Sequence, residues 1–109
     1  MQIEDLQNAF TAGLPVEYSA HCQKRMLERG ISRADIVNCI YSGEIIEEYP
    51  LDDNYSPGSL PACLVLGLKI SNDTYIHVVV GFNGKKVLII SAYYPDNVHW
   101  LEDLKTRRK

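Results

Sequence analysis

The sequence of 109 residues lacks any apolar run of the roughly 18–20 residues that a membrane-spanning helix needs. Its first residues are acidic and amphipathic, so they are not expected to form a signal peptide. Only three cysteines occur, an odd number without C-x-x-C spacing, which excludes a disulfide framework. These absences together predict a cytoplasmic protein with reduced thiols.

Positive charge is also scarce, because 11 basic against 14 acidic side chains give a net charge of −3. That charge excludes a general nucleic-acid binder. The two halves differ, since residues 1–55 carry −6 and residues 56–109 carry +3. The basic tail at residues 105–109 either attracts polyanions or merely aids solubility. With 46% apolar residues, the chain is expected to bury a core as a single domain over residues 1–109.

Helical periodicity predicts three helices in the first 43 residues. Ser32 and Asp35 have the spacing of a capping box at the start of the third helix. A glycine follows each helix, where a left-handed backbone ends helices readily. The predicted helices begin near Ile3, Ser19 and Ser32 and end before Gly13, Gly30 and Gly43.

Strand periodicity replaces helical periodicity after Gly43. The first strand is short and charged, which is typical of a sheet edge, and residues 50–61 have the composition of a loop. Asn83-Gly84 predicts a tight hairpin between the last two strands, after a tight turn at residues 71–74. We therefore predict an α+β fold of two layers, with N-terminal helices packed on an antiparallel β meander. The predicted strands are Glu44–Tyr49, Ala62–Ile70, Tyr75–Gly81 and Lys85–Tyr94, and Val98–Lys105 is predicted to form a last helical turn or short helix.

The second predicted helix carries His21, Arg25 and Arg29 at spacings of four residues, so that they share one face. Two guanidinium groups beside an imidazole suit phosphate binding with proton transfer near neutral pH. The alternative interpretation is a solvated face with Glu28 and Glu17 as ion-pair partners.

His77 lies in the middle of the third predicted strand. Its aliphatic neighbours alternate toward the helices, which places His77 on the opposite face with Tyr75 and with Tyr93 or Tyr94. The imidazole is then either an acid or base in an aromatic groove, or a structural histidine bonded to a tyrosine. Paired metal-ligand spacing is absent, so we expect no metal and no cofactor.

Short motifs spread over residues 18–100 occur together in a specific order. They are Ser19-Ala20-His21, Arg25-Met26, Glu28-Arg29-Gly30-Ile31-Ser32, Asp35-Ile36, Gly43-Glu44-Ile45-Ile46-Glu47, Tyr49-Pro50, His77-Val78-Val79-Val80 and Tyr93-Tyr94-Pro95-Asp96. In their order and spacing they resemble the family catalogued as domain of unknown function 4258.

The resemblance implies a fold and an activity. The family is similar to the small ribonuclease toxins that include barnase, RelE and colicin nuclease domains, with helices followed by an antiparallel meander. Members often look like toxins of type II toxin–antitoxin pairs, with a small zinc-finger antitoxin of the MqsA type as partner. The family's polar signature falls on His21, Arg25, Arg29 and His77, with Tyr93 or Tyr94 as a further member.

The activity implied is metal-independent cleavage of RNA, including ribosome-bound mRNA. Arg25 and Arg29 would hold the phosphate, while His21 and His77 would be the base and the acid in either order. This hypothesis requires the two histidines to lie within about one phosphate's width of each other. RNA contacts are expected from Tyr75, Tyr94, Lys86, Arg107 and Arg108, and a homodimer is left open.

Two other functions fit the same residues. One is a non-catalytic interaction module of the same fold, which would bind a basic protein through its open sheet face or through Glu44–Tyr49. The other is an enzyme that acts on a small phosphate-bearing ligand. A cleft lined by basic side chains would favour RNA binding, whereas a cleft lined by carboxylates would favour the interaction module.

Overall fold

A computed structural model describes residues 1–51, 60–69 and 74–109 of the chain. Within these segments the chain forms three helices and five strands. They are α1 (Ile3–Thr11), β1 (Val16–Tyr18), α2 (Ala20–Arg29), α3 (Arg33–Ser42), β2 (Glu44–Tyr49), β3 (Ala62–Leu68), β4 (Tyr75–Phe82) and β5 (Val87–Tyr93). Among the helices in these segments, none combines the length and the hydropathy of a membrane span.

Local capping sets the ends of α2 and α3 where the sequence predicts them. The Ser19 hydroxyl accepts a hydrogen bond from the Cys22 backbone N–H at 3.0 Å, and so caps α2. Gly30 ends α2 with a φ of 66°, a left-handed conformation that costs glycine little. The predicted capping box of Ser32 and Asp35 begins α3. The predicted helix boundaries are therefore confirmed.

The five strands form one sheet in the order β1-β5-β4-β3-β2. Strands β2 to β5 are an antiparallel meander with β2 at one edge, as predicted. Strand β1, which was not predicted from the sequence, pairs in parallel with β5 at the other edge, so the sheet is mixed. A strand of three residues is too short to show an alternating pattern, and only its pairing with β5 defines it. The coarse prediction of an α+β fold is confirmed.

The hairpin between β4 and β5 forms at Asn83-Gly84 as predicted. The Asn83 side chain accepts hydrogen bonds from the backbone N–H groups of Lys85 and Lys86, at 2.9 Å each. This turn delays the start of β5 to Val87. Most of the predicted loop at residues 50–61, and most of the predicted turn at residues 71–74, lie outside the described residues.

The helices cover one face of the sheet and bury the core. Helix α2 packs on β5, while α3 packs on β3 and α1 packs on α3. At Gly67 the sheet and α3 touch backbone to backbone, because a Cβ added there would lie 2.2 Å from the Cys39 carbonyl oxygen. The core includes Leu6, Cys22, Met26, Ile36, Cys39, Ile40, Val65, Ile76, Val78, Val80, Ile89 and Ala92.

The opposite face of the sheet is covered by residues 96–109, hereafter the C-terminal segment. Its Trp100 is buried, with 3% of its surface exposed, and forms a backbone bridge with Arg107. Of the helical turn or short helix predicted at Val98–Lys105, the short helix does not form, because this stretch consists of turns and bends around the bridge residue Trp100. Asp103 accepts hydrogen bonds from the backbone N–H groups that follow it, and Leu104 has a φ of 61°, which interrupts any helix.

Candidate functional site

His77 is the centre of a group of ionisable side chains on the sheet face away from the helices. Its neighbours Ile76 and Val78 point into the core, so strand alternation directs the imidazole to the opposite face. The side chain is fully buried. Its Nδ1 atom lies 3.1 Å from the Tyr93 hydroxyl, and its Nε2 atom lies 2.8 Å from the Leu104 carbonyl oxygen. Both ring nitrogens are therefore satisfied.

The contacts of the His77 ring indicate its tautomer, and its burial indicates its charge. A carbonyl oxygen only accepts hydrogen bonds, so we infer that Nε2 carries the proton and that Nδ1 of the neutral ring accepts from Tyr93. Burial lowers the pKa of His77, and the bond to Leu104 and the charge of Glu47 oppose that effect only in part. The rings of Tyr93 and Trp100 pack edge-on against the imidazole, with centroids at 5.2 and 4.6 Å. His77 is thus a neutral imidazole in an aromatic pocket at neutral pH.

Glu47 and Arg107 form a two-pronged ion pair beside this pocket. The Arg107 guanidinium donates from Nε and Nη2 to the two carboxylate oxygens, at 2.7 and 2.9 Å. The Tyr49 hydroxyl donates to the same carboxylate. The hydrogen bond from Arg107 lowers the pKa of Glu47 below its ordinary value, so the carboxylate is ionised at neutral pH. Arg107 also lies over the Trp100 ring, 4.6 Å from its centroid.

Together these residues form one network, which we call the sheet-face cluster. Strand β2 supplies the carboxylate, β4 the imidazole and β5 the phenol, while the C-terminal segment supplies the guanidinium and the indole. An ionised acid, a neutral base, a hydroxyl donor and a fixed cation are groups that transfer protons and bind anions. The cluster consists of Glu47, Tyr49, His77, Tyr93, Trp100 and Arg107.

The predicted phosphate clamp on α2 is not assembled. Arg25 forms an ion pair with Glu28 at 2.8 Å, as the solvated-face interpretation expected. Arg29 donates from Nη1 to the Ala92 carbonyl oxygen at 2.8 Å and so fastens α2 to β5. His21 is exposed on the outer surface of the helix. Arg29, which was predicted to hold phosphate together with Arg25, therefore has a structural role.

The sheet separates the two histidines that were predicted to act together. His21 belongs to α2, on the side where Cys22 and Met26 pack into the core. His77 points out of the other face. The prediction that both reach one phosphate is therefore wrong, because the core and the sheet lie between them.

Two of the residues predicted to contact RNA lie on the same sheet face as His77. Arg107 is a member of the sheet-face cluster. Tyr75 is half exposed and stands two residues before His77 on β4, so alternation gives both side chains the same direction. These two remain compatible with a ligand on that face.

The other three residues predicted to contact RNA have partners within the protein. Lys86 forms an ion pair with Glu17 at 3.7 Å. The Arg108 Nε atom donates to a backbone carbonyl in its own segment at 2.6 Å. The Tyr94 hydroxyl donates to the Arg29 carbonyl oxygen at 2.8 Å, at the end of α2. These three side chains do not join the sheet-face cluster.

Sequence reasoning missed Glu47, Tyr49 and Trp100 as members of the site. Strict alternation along β2 would place Glu47 on the same face as Ile45, which contacts the core. A bulge between Ile45 and Glu47 shifts the register and turns the Glu47 carboxylate to the face of His77. Residues Gly43–Glu47 belong to one of the motifs that resemble the family, but no local sequence pattern predicts the bulge that turns Glu47 toward His77.

Metal-binding groups do not come together in the part of the chain that the structure describes, since no three His, Cys, Asp or Glu side chains there could hold a metal ion. The three cysteines are buried free thiols. Burial raises the pKa of the Cys39 thiol to about 12 and that of Cys63 to about 11.

One protein family matches this chain over residues 18–94, and it is described as Domain of unknown function (DUF4258). The matched region runs from Tyr18, the last residue of β1, to Tyr94 just after β5. It includes Glu47, His77 and Tyr93 and ends before the C-terminal segment. No curated protein and no solved structure matches the chain.

Proposed function

The chain belongs to the DUF4258 family, and we propose that it is a metal-independent endoribonuclease of the toxin type that acts with the sheet-face cluster. One observation supports the proposal above all others. Glu47, His77, Tyr93 and Arg107 come from three strands and the C-terminal segment, yet lie in one network on a single face. The resemblance to small ribonuclease toxins points to the same reaction.

The proposed reaction is an internal transesterification of RNA. The neutral His77 takes the proton of the ribose 2′-OH at Nδ1, and the 2′-oxygen forms a bond to the adjacent phosphorus. The bond from phosphorus to the 5′-oxygen breaks, and Tyr93 gives its hydroxyl proton to that oxygen. His77 then returns a proton to the Tyr93 phenolate, which restores both groups. The products are a 2′,3′-cyclic phosphate and a 5′-hydroxyl.

Arg107 stabilises the charge that grows on the phosphate oxygens in this scheme. In the structure its guanidinium is bound to Glu47, and its side chain is 57% exposed. Ion pairs of such exposure contribute only about 0–1 kcal/mol, so a phosphate can replace the carboxylate. The C-terminal segment covers His77, and RNA must displace Trp100 and Leu104 to reach it. The proposal therefore includes opening of this segment.

Expression in bacterial cells tests the proposal, because cells also supply ribosomes. Growth and total-RNA integrity are compared for the wild type, His77→Gln, Tyr93→Phe and the control His99→Ala, at equal soluble levels. We expect growth arrest and RNA fragments with 2′,3′-cyclic phosphate ends in the wild type and in the control. Both cluster variants are expected to lose the effect. His21→Ala is expected to keep it, because His21 lies on the other side of the sheet.

Intact RNA and normal growth at high soluble expression of the wild type would refute the proposal. Fragmentation that persists in His77→Gln and Tyr93→Phe would refute the assigned residues. Circular dichroism of each purified variant checks that a loss of effect is not a loss of fold.

A non-catalytic interaction module is the second candidate, and one observation favours it. Two basic residues of the C-terminal segment face carboxylates, since Lys105 binds Glu44 at 2.6 Å and Arg107 binds Glu47. With His77 fully buried, the closed face offers a protein partner a surface rather than a catalytic group. Intact RNA in the expression experiment supports this candidate.

A further inference from the structure

Positive charge in the first half of the chain is confined to one short stretch. All four basic residues of residues 1–55 lie between positions 24 and 33, where Glu28 is the only acid. Residues 20–33 therefore carry a net charge of +3 in a chain whose net charge is −3. The four are Lys24, Arg25, Arg29 and Arg33. This stretch corresponds to α2 and the start of α3.

An open groove of about 260 Å³ lies within this basic stretch, hereafter the α2 groove. Met26 and Ile31, both buried, supply its apolar floor. Leu27 stands at its side with 87% of its surface exposed, more than any other large apolar side chain that the structure describes. The lining residues are Gln23, Met26, Leu27, Ile31, Ser32 and Arg33. The exposed Leu27 side chain extends the apolar surface of the groove, and a ligand that covered it would remove that surface from water.

The basic side chains around the α2 groove are largely free of carboxylates. Of the four, Arg25 alone forms an ion pair within the described segments. The Arg33 guanidinium lies over the Tyr18 ring, 4.6 Å from its centroid, a contact that holds it beside the groove. Lys24 is exposed on the same side of α2 as Leu27, one turn earlier. The rim therefore offers positive charge to a ligand.

We propose that the α2 groove binds an acidic amphipathic segment of another protein. The apolar side chain of such a segment would cover Leu27 and fill the groove, while its carboxylates would face Lys24 and Arg33. A single-stranded RNA offers phosphates but no aliphatic side chain for Leu27, so charge and apolarity together favour a protein segment. A basic or neutral segment would offer no negative charge to the basic side chains at the rim.

This surface is independent of the proposed ribonuclease site. Helix α2 packs on the helix-covered face of the sheet, whereas the sheet-face cluster lies on the other face. A partner in the α2 groove therefore leaves the cluster uncovered. Binding at the groove can be measured whether or not the protein cleaves RNA.

Selection from a phage library of random short peptides tests the proposal. The library is depleted on immobilised Leu27→Ser protein and then selected on the full wild-type chain. We expect enriched peptides that combine Asp or Glu with Leu, Ile or Phe. An enriched peptide is then synthesised with a fluorophore, and its dissociation constant is measured by fluorescence anisotropy.

Matched variants locate the binding. We expect Lys24→Glu and Arg33→Glu each to raise the dissociation constant about tenfold, because each reverses a charge at the rim. Leu27→Ser is expected to weaken binding by a similar or larger factor. Lys85→Glu and Val98→Ser are the controls, since both side chains are exposed away from α2, and they are expected to leave binding unchanged. Higher salt should weaken binding in parallel.

Three results would overturn the proposal. The first is enrichment of no peptide, or of peptides without net negative charge. The second is binding that Leu27→Ser leaves unchanged. The third is that another occupant fills the groove while no peptide is enriched. A second copy of the chain would be seen as a dimer in light scattering. A single-stranded oligoribonucleotide would be seen as RNA binding that Lys24→Glu abolishes.

Discussion

The Nε2 atom of His77 donates to the Leu104 carbonyl oxygen at 2.8 Å, and this bond joins the middle of the sheet to the C-terminal segment. Leu104 adopts a φ of 61°, a left-handed conformation that is uncommon for a leucine. The carbonyl that accepts the bond belongs to this unusual residue, so the turn in the segment and the protonation of the imidazole are linked.

Acid should destabilise the protein through His77 before it acts on the carboxylates. Burial lowers the pKa of His77 in the folded state, so below its ordinary pKa of about 6.5 the unfolded chain binds a proton that the folded chain does not. The stability that the neutral ring contributes is complete above that pH, and it falls as the pH drops toward the folded pKa. We expect the free energy of unfolding, measured with urea, to decrease between about pH 7 and pH 5.5.

The control for that pH dependence is a substitution at one histidine at a time. His77→Gln removes the titrating group, so its free energy of unfolding should change less over the same range. His21→Gln removes an exposed imidazole and should keep the slope of the wild type. If the free energy of unfolding changed equally with pH in the wild type and in His77→Gln, the pH dependence could not be assigned to His77.

Trp100 should hold the C-terminal segment in place more strongly than the ion pair of Arg107. Its indole is 3% exposed, and truncation of such a ring to alanine costs about 3–5 kcal/mol. The Arg107 side chain is 57% exposed, so Arg107→Gln should cost less than about 1 kcal/mol. Urea unfolding followed by circular dichroism measures both, and the reverse order would show that charge, not packing, anchors the segment.

Gly67→Ala should be strongly destabilising. The added Cβ would lie 2.2 Å from the Cys39 carbonyl oxygen, and because that oxygen belongs to the backbone, α3 would have to move away from β3. We expect a loss of about 3 kcal/mol in the free energy of unfolding. Gly81→Ala is the milder comparison, because its Cβ would lie 3.2 Å from the Leu60 Cβ, and a shift of a few tenths of an ångström relieves that contact at a cost of about 1 kcal/mol. Similar losses of unfolding free energy at Gly67 and Gly81 would argue against a close approach of Gly67 to the backbone of α3.

The three cysteines should be unreactive in the folded protein. All are buried, and burial raises the pKa of Cys39 to about 12 and that of Cys63 to about 11, so almost no thiolate is present near neutral pH. Titration with a thiol-specific disulfide reagent should find no fast-reacting thiol in the native protein and all three after denaturation. A thiol that reacts rapidly under native conditions would show local opening of the core.

The sequence predicted those parts of the fold that depend on short-range chemistry. The boundaries of α2 and α3 follow from Ser19, Gly30 and the pair Ser32 and Asp35, which act within one or two helical turns. β1 was missed because its pairing with a strand far along the chain defines it. The C-terminal segment forms turns and not the short helix that was one of the two alternatives predicted there, because it packs Trp100 against His77, a contact that no local pattern indicates.

The candidate site was predicted only in part for the same reason. Alternation placed His77 on one face with either Tyr93 or Tyr94, and the structure shows that Tyr93 makes the contact. Glu47 reached the same face through a bulge, and Arg107 through the return of the chain end. The helical spacing of His21 and Arg29 was real, but it did not reveal that Arg29 reaches a backbone carbonyl of the sheet.

The parallel pairing of β1 with β5 sets an order on folding. The hairpins of the meander join strands that are neighbours in sequence, whereas Val16 of β1 meets Val87 of β5, after every other strand has been made. Pairings between such distant residues form slowly because a long loop must close first. A growing chain therefore cannot complete its sheet until β5 has left the ribosome, and this edge of the sheet is expected to be the last to form.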